Sequence, residues 1–220
     1  MMWLAYGGVF AAFLAAHSIP TRPAARARLV AAFGSAGFGL GYSLLSTAML
    51  LILIRAAAWP ESVYLWPTTL WAMEATKAGM AAVCIWFAVA LGHPNPFSFG
   101  GSRRKRFDPD RPGLVRLTRH PMLLGLATWA GLHLLPNGDL AHVLLFGALG
   151  GFALLGMRLI DRKRRRGMGP EVWSQTLRRT KAAPALAGLT LVDLGRAALG
   201  LVGYMALLHL HEYFAGVALV

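Results

Sequence analysis

Acidic residues are scarce in this chain and cysteine is nearly absent. Its 220 residues hold nine Asp and Glu, one Cys and only 14% charged side chains, where an average soluble domain has about 25%. The lone Cys84 lies inside an apolar run, which excludes an intrachain disulfide, an iron–sulfur cluster and a cysteine-rich zinc site. Gly-x-x-x-x-Gly-Lys-Ser/Thr, Gly-x-Ser-x-Gly, His-Glu-x-x-His and Gly-x-Gly-x-x-Gly are all missing. Phosphate-loop, serine-hydrolase, zinc-protease and dinucleotide-binding readings therefore lose their sequence support. No unit of fixed length repeats and no low-complexity tract stands out, so a solenoid or a disordered chain is excluded as well.

What is present is apolar length. Hydrophobic residues make up 56% of the chain, and charge-poor runs of membrane-spanning length fall near residues 2–19, 34–54, 68–92, 120–136, 139–158 and 197–214, the fourth being short. The pattern predicts an all-α fold, a polytopic membrane bundle of about six transmembrane helices forming a single domain over residues 1–220. Gly34, Gly37, Gly39 and Gly41 in the second span and Gly147, Gly150 and Gly151 in the fifth are expected to let helices approach closely. The first run lacks a basic leader and continues into His17-Ser18-Ile19-Pro20, which reads as a retained helix.

A formal net charge of +13 would suggest nucleic acid if it covered one soluble face, but the 22 Lys and Arg residues fall in alternate loops. Arg22, Arg26 and Arg28 follow the first span. Arg103, Arg104, Lys105, Arg106, Arg111, Arg116 and Arg119 follow the third, and Arg162 to Arg166, Arg178, Arg179 and Lys181 follow the fifth. The second loop has Arg55 with Glu61, and the fourth is only Pro136-Asn137-Gly138-Asp139. Positive loops face the cytoplasm, so both termini are expected on the outer side of the membrane, with the lipid bilayer and not nucleic acid as partner. Trp59, Trp66 and Trp71 bracket the second loop, where amphipathic rings anchor at the headgroup level.

Ionisable groups at membrane depth are costly and so form the list of chemical candidates. Glu74 and Lys77, three residues apart, read as a structural ion pair. Seven histidines remain, and neutral imidazole enters an apolar bundle more cheaply than a fixed charge. His17, His93 and His120 fall at cytoplasmic ends of spans; His133, His142, His209 and His211 fall toward the outside. By depth alone, a bis-histidine haem would pair His17 with His120, or His133 with His209 or His211. His93-Pro94-Asn95-Pro96 through Gly101 breaks the third helix into a turn whose backbone donors could meet an anion. Arg116, Arg119 and His120 precede Pro121 at the start of the fourth helix, where an anionic ligand could be gripped.

These blocks resemble the NnrU family of bacterial inner-membrane proteins. The resemblance rests on His17-Ser18-Ile19-Pro20, His93-Pro94-Asn95-Pro96 with Gly100-Gly101, and the stretch Phe107 to Gly125. It extends to Trp129 through His133 with Asn137-Gly138-Asp139, and to Gly156-Met157-Arg158-Leu159-Ile160-Asp161. It implies a place in nitrite and nitric oxide metabolism, the denitrification of respiring bacteria, without supplying a reaction or a catalytic residue. An association with a respiratory or denitrification complex, as a subunit or assembly factor, is one form that role could take; action on a hydrophobic small molecule is another.

The same blocks are similar to 15-cis-ζ-carotene isomerase, a haem b enzyme, through His-Ser at the end of an early helix, Thr118-Arg119-His120-Pro121, and a Trp followed four residues later by His. That resemblance implies haem b with His17 and His133 at the iron-ligand positions; the depth reading leaves His120 as the alternative ligand. Ala130 stands where the isomerase has Cys, so a Cys-for-His ligand switch has no counterpart there. Arg119-His120-Pro121 with Gly125 also looks like the opening motif of isoprenylcysteine carboxyl methyltransferases, which implies S-adenosylmethionine at Arg119 and His120 as the alternative cofactor. In this chain Leu123 replaces the Tyr of that motif, and Asp161 stands alone where paired glutamates are expected.

Overall fold

The computed structural model describes residues 1–102 and 106–219, and Arg103, Arg104 and Lys105 of the basic loop lie outside the described residues. The elements are helical, with no strand among the described residues: α1 (Met2–Ser18), α2 (Pro23–Ala56), α3 (Leu70–Gly92), α4 (Pro121–Leu134), α5 (Leu140–Met168), α6 (Pro170–Ala182) and α7 (Leu191–Ala215). Proline stands at the first turn of α2, α4 and α6, where its fixed φ is helical and its missing N–H would have had no partner. Five helices, α1, α2, α3, α5 and α7, are long and apolar enough to cross a membrane. The chain is an all-helical, multi-pass membrane protein. The fourth expected span is α4, whose 14 residues rise only about 21 Å against a hydrocarbon core of about 30 Å.

Some boundaries differ from the hydropathy reading, and one helix is added. Helix α2 begins at Pro23, and the expected start at residue 34 coincides with a break, because Gly34 takes φ +71° and ψ +168° inside the helix. Only glycine occupies that region without steric cost, so a short basic arm precedes the span. Helix α5 runs to Met168, so the run Arg162 to Arg166 is helical and extends the helix about 15 Å past its apolar part. The loop that follows contains a further helix, α6, which period-based reading of a charged stretch does not register.

The fold comprises two compact units. The first unites Met1–Leu65, Asp139–Leu145 and His209–Val220. Here α1 packs along α2, and Tyr42 Oη donates to the His17 carbonyl (2.9 Å) while Tyr6 Oη donates to the Ala141 carbonyl (2.8 Å). Away from water, a tyrosine hydroxyl needs such an acceptor, and each bond fixes the register of two segments.

The second unit unites Trp66–Gly138 and Phe146–Leu208, and its centre is the α3–α4 pair. Thr76 Oγ1 donates to Leu132 O (2.8 Å), and Trp86 Nε1 donates to Pro121 O (2.7 Å). Small residues bring backbones together, as membrane packing requires; of the glycine-rich stretches, Gly150 of α5 does so, a Cβ there lying 3.4 Å from Ala130 Cβ of α4. A Cβ built on Gly39, Gly41, Gly147 or Gly151 meets nothing within 4 Å, whereas one on Gly200 of α7 lies 2.7 Å from Ile85 Cα of α3. Glu74 and Lys77 form the expected i,i+3 pair at 3.2 Å.

Gly200→Ala and Gly147→Ala make a matched test. The added methyl at Gly147 enters open space and gains helix propensity, so the melting temperature in detergent is unchanged or higher. At Gly200 the helices must separate, and a loss of about 1–3 kcal/mol is expected.

Candidate functional site

At the end of the second unit where α3 stops and α4 begins, two prolines and an asparagine build the site. Pro94 and Pro96 cannot continue α3, and the chain closes a loop from His93 to Ser102 through Ser102 N–H to His93 O (2.9 Å). Asn95 Oδ1 accepts from the backbone of Phe97 (2.9 Å) and Ser98 (3.2 Å), and its Nδ2 donates to Arg119 O (2.9 Å). Those two backbone donors, expected as an anion site, are therefore engaged within the loop itself. Phe97 is fully buried and packs edge-on against Phe107 and Trp173.

Asp161 on the α5 extension is the hub. Its carboxylate accepts a fork from Arg119, Nε at 3.2 Å and a second nitrogen at 2.7 Å, and also lies 3.0 Å from His120 Nε2. The other ring nitrogen, His120 Nδ1, is 3.0 Å from Ser98 Oγ, and Arg164 donates to Ser98 O (3.0 Å). Arg119 also covers the face of Trp173, as does Arg165, which places α6 over the network through cation–π contact. Burial pushes the His120 imidazole below its ordinary value of 6.5; Asp161 pulls it up in part, and Arg119 opposes that pull. The ring is therefore neutral at pH 7.

Ser98, His120 and Asp161 have the composition of a nucleophilic triad. Ser98 is only 2% exposed and is not among the walls of the neighbouring cavity, so the hydroxyl serves to orient His120.

That cavity, about 280 Å³, is bounded by Arg116, Arg119 and His120 from the segment before α4, by Arg158 and Asp161 from α5, and by Leu177 and Lys181 from α6, among others. Arg116 is held by donating through Nε to Ala183 O (2.6 Å). Beside it a second knot ties α7: His93 Nε2 lies 3.0 Å from Asp193 Oδ1, which also accepts from Arg196 (2.6 Å), while Asp193 Oδ2 caps Thr190. Gly113 carries φ +56°, and a Cβ there would sit 2.5 Å from His93 Nδ1, so both conformation and space demand glycine. The family resemblances singled out Asp161 but not its partners Arg119 and His120, and the spacing of Asp193 marks Arg196 three residues on but not His93, a hundred residues away.

The expected iron ligands fall in different surroundings. His17, in the first unit, has an exposed ring flanked by Phe13 and Tyr42 at 5.7 and 5.6 Å. His133, in the second, donates from Nδ1 to Trp129 O (2.8 Å) and forms a three-ring cluster with Trp129 (5.2 Å) and Phe146 (5.0 Å), whose own centroids are 5.4 Å apart. Both nitrogens of His120 are engaged, by Ser98 and Asp161. Among the described residues no group of three or more His, Cys, Asp or Glu gathers in metal-binding geometry.

The family model for the NnrU protein matches residues 6–219. The chain belongs to the NnrU family. No curated protein and no solved structure matches it.

Removing the hub's charge tests its weight. Asp161→Asn leaves Arg119 and His120 without their shared acceptor and is expected to cost about 2 kcal/mol, read as a lower melting temperature. The equivalent change at the exposed Asp110, paired with Arg179 at the surface, leaves stability near that of the unaltered protein. A group whose folded-state pKa is lowered, as His120's is, supports stability above its unfolded value and loses that support as pH falls. The melting temperature should drop between pH 7 and pH 5, and His120→Gln should reduce that drop.

Proposed function

We propose that this NnrU-family protein serves nitrite and nitric oxide metabolism as a haem b protein of the bacterial inner membrane, with His133 as the leading iron ligand. The observation that carries the reading is the Nδ1 hydrogen bond from His133 to Trp129 O. It fixes the tautomer whose Nε2 holds the lone pair, the arrangement by which carbonyl acceptors orient metal-ligating histidines. Trp129 and Phe146 pack against the imidazole and against each other, apolar rings that suit the edge of a macrocycle. Haem b, when bound, would supply one-electron redox chemistry. His133 would hold the iron, and Trp129 would orient His133. His17 is the second residue that the isomerase resemblance names, and His120 is the weaker alternative because its two nitrogens already serve Ser98 and Asp161. The alternation of basic and charge-poor connections supports cytoplasmic basic segments and periplasmic termini.

An S-adenosylmethionine reading of the Arg119–His120 cavity has one favourable feature, the cations that would receive the ligand's carboxylate. Its sulfonium finds only Asp161, already engaged by Arg119 and His120. A subunit or assembly role in a respiratory complex would need no cofactor at all.

Optical spectra of the protein purified in detergent after haem-replete expression, oxidised and dithionite-reduced, decide the matter. A stoichiometric haem b spectrum is expected, lost in folded His133→Ala and retained in His120→Ala; His17→Ala reports the second ligand. Absence of a Soret band from folded, haem-replete protein overturns the proposal.

A further inference from the structure

The cavity beside Asp161 carries cations that the protein itself does not use. Of its four basic walls, Arg119 is neutralised by Asp161 in a two-point fork, and Arg116 has one nitrogen on the Ala183 carbonyl. Arg158 and Lys181 line the same cavity with no hydrogen bond or ion pair among the described residues. The sole carboxylate in the walls is Asp161. Arg116, Arg158 and Lys181 therefore converge with an uncompensated charge on about 280 Å³ of space. Helix spacing produces this convergence: Arg158 and Asp161 are one turn apart on α5, and Leu177 and Lys181 are four apart on α6.

Thr118 apart, the rest of the lining is apolar. Val115, Leu117, Met157 and Leu177 share the walls with these cations, and Met157 continues into the apolar part of α5, the part that crosses the membrane. A small hydrophilic anion would leave those side chains without contact. An amphiphile with an anionic head and a hydrocarbon tail satisfies both sets of walls. Phosphate suits the head best, because three cations from separate segments, two of them guanidinium groups, can each meet a different oxygen of a tetrahedral dianion.

We propose that this cavity binds the phosphate head of a membrane amphiphile, with Arg116, Arg158 and Lys181 on the phosphate and Leu117, Met157 and Leu177 against the first carbons of the tail. Arg119 and His120 form the wall but are committed to Asp161. The site is independent of the haem reading and survives its failure.

The test is calorimetric titration of the full chain in a maltoside detergent with dodecyl phosphate and, separately, with inorganic phosphate. Saturable binding of dodecyl phosphate at one site per chain is expected, at least tenfold weaker in Arg158→Gln/Lys181→Gln. Those side chains are exposed and support no internal bond, so the variant should keep the wild-type melting temperature. Arg22→Gln/Arg28→Gln removes the same charge elsewhere and should bind as the unaltered protein does. Inorganic phosphate is expected to bind far more weakly; equal binding of both probes would assign the site to free phosphate and overturn the amphiphile. No saturable binding, or equal loss in both double variants, would overturn the site altogether.

Discussion

The whole second unit depends on how a few carboxylates are shared among many cations. Taking a guanidinium or a carboxylate out of water costs several kcal/mol unless a partner of opposite charge replaces the hydration. Nine acids face 22 Lys and Arg residues, so acids are the limiting component. Asp161 holds Arg119 and His120 at once, and Asp193 holds His93 and Arg196. Through the first, α5 is clamped to the segment that opens α4; through the second, α7 is clamped to the end of α3. Both clamps sit at the same broken end of α3 and α4, where the loss of helical hydrogen bonds already creates unsatisfied backbone groups.

The prolines and Asn95 solve that backbone problem locally, and their solution positions the clamps. Pro94 and Pro96 end α3 without stranding their own donors, Asn95 satisfies two of the donors that follow, and its amide reaches Arg119 O. Arg119 is thereby fixed at its backbone before its side chain meets Asp161. Rigid loop and ion pair are thus one construction, and the flat guanidinium is left with a face for Trp173 of α6. A lysine at 119 would retain the charge but lose both the fork and the stacking surface.

Much of this architecture was legible from composition and spacing. Five long apolar helices, the shortness of the fourth, the proline start of α4 and the Glu74–Lys77 pair follow from local rules about hydrocarbon thickness and helix faces. The choice of packing glycines followed only at Gly150, since glycine content marks where close approach is permitted and tertiary geometry decides where it occurs: Gly150 meets Ala130 and Gly200 faces α3, while Gly147 and Gly151 face open space. The extension of α5 through Arg162 to Arg166 was hidden because a charged run reads as loop, although arginine and lysine are good helix formers once a helix has been nucleated by its apolar part. Arg119 and His120 were recognisable as a pair before Pro121. That Asp161, some forty residues away, is their acceptor was not, because neither a motif nor a helix period links a single Asp to partners on another segment.

The sharing of Asp161 also explains why charge remains in the adjoining cavity. A second carboxylate there would neutralise Arg158 or Lys181, and it would compete with Asp161 for Arg119, loosening the clamp between α5 and α4. One acid gives a rigid hub at the cost of leaving the neighbouring cations without an internal partner. Those cations avoid the desolvation cost by standing exposed on α5 and α6, while His120, which is buried, avoids it by remaining neutral. The same shortage of acid that forces Asp161 to serve two partners thus produces an electropositive recess beside it, and structural economy and ligand-binding capacity have one physical origin.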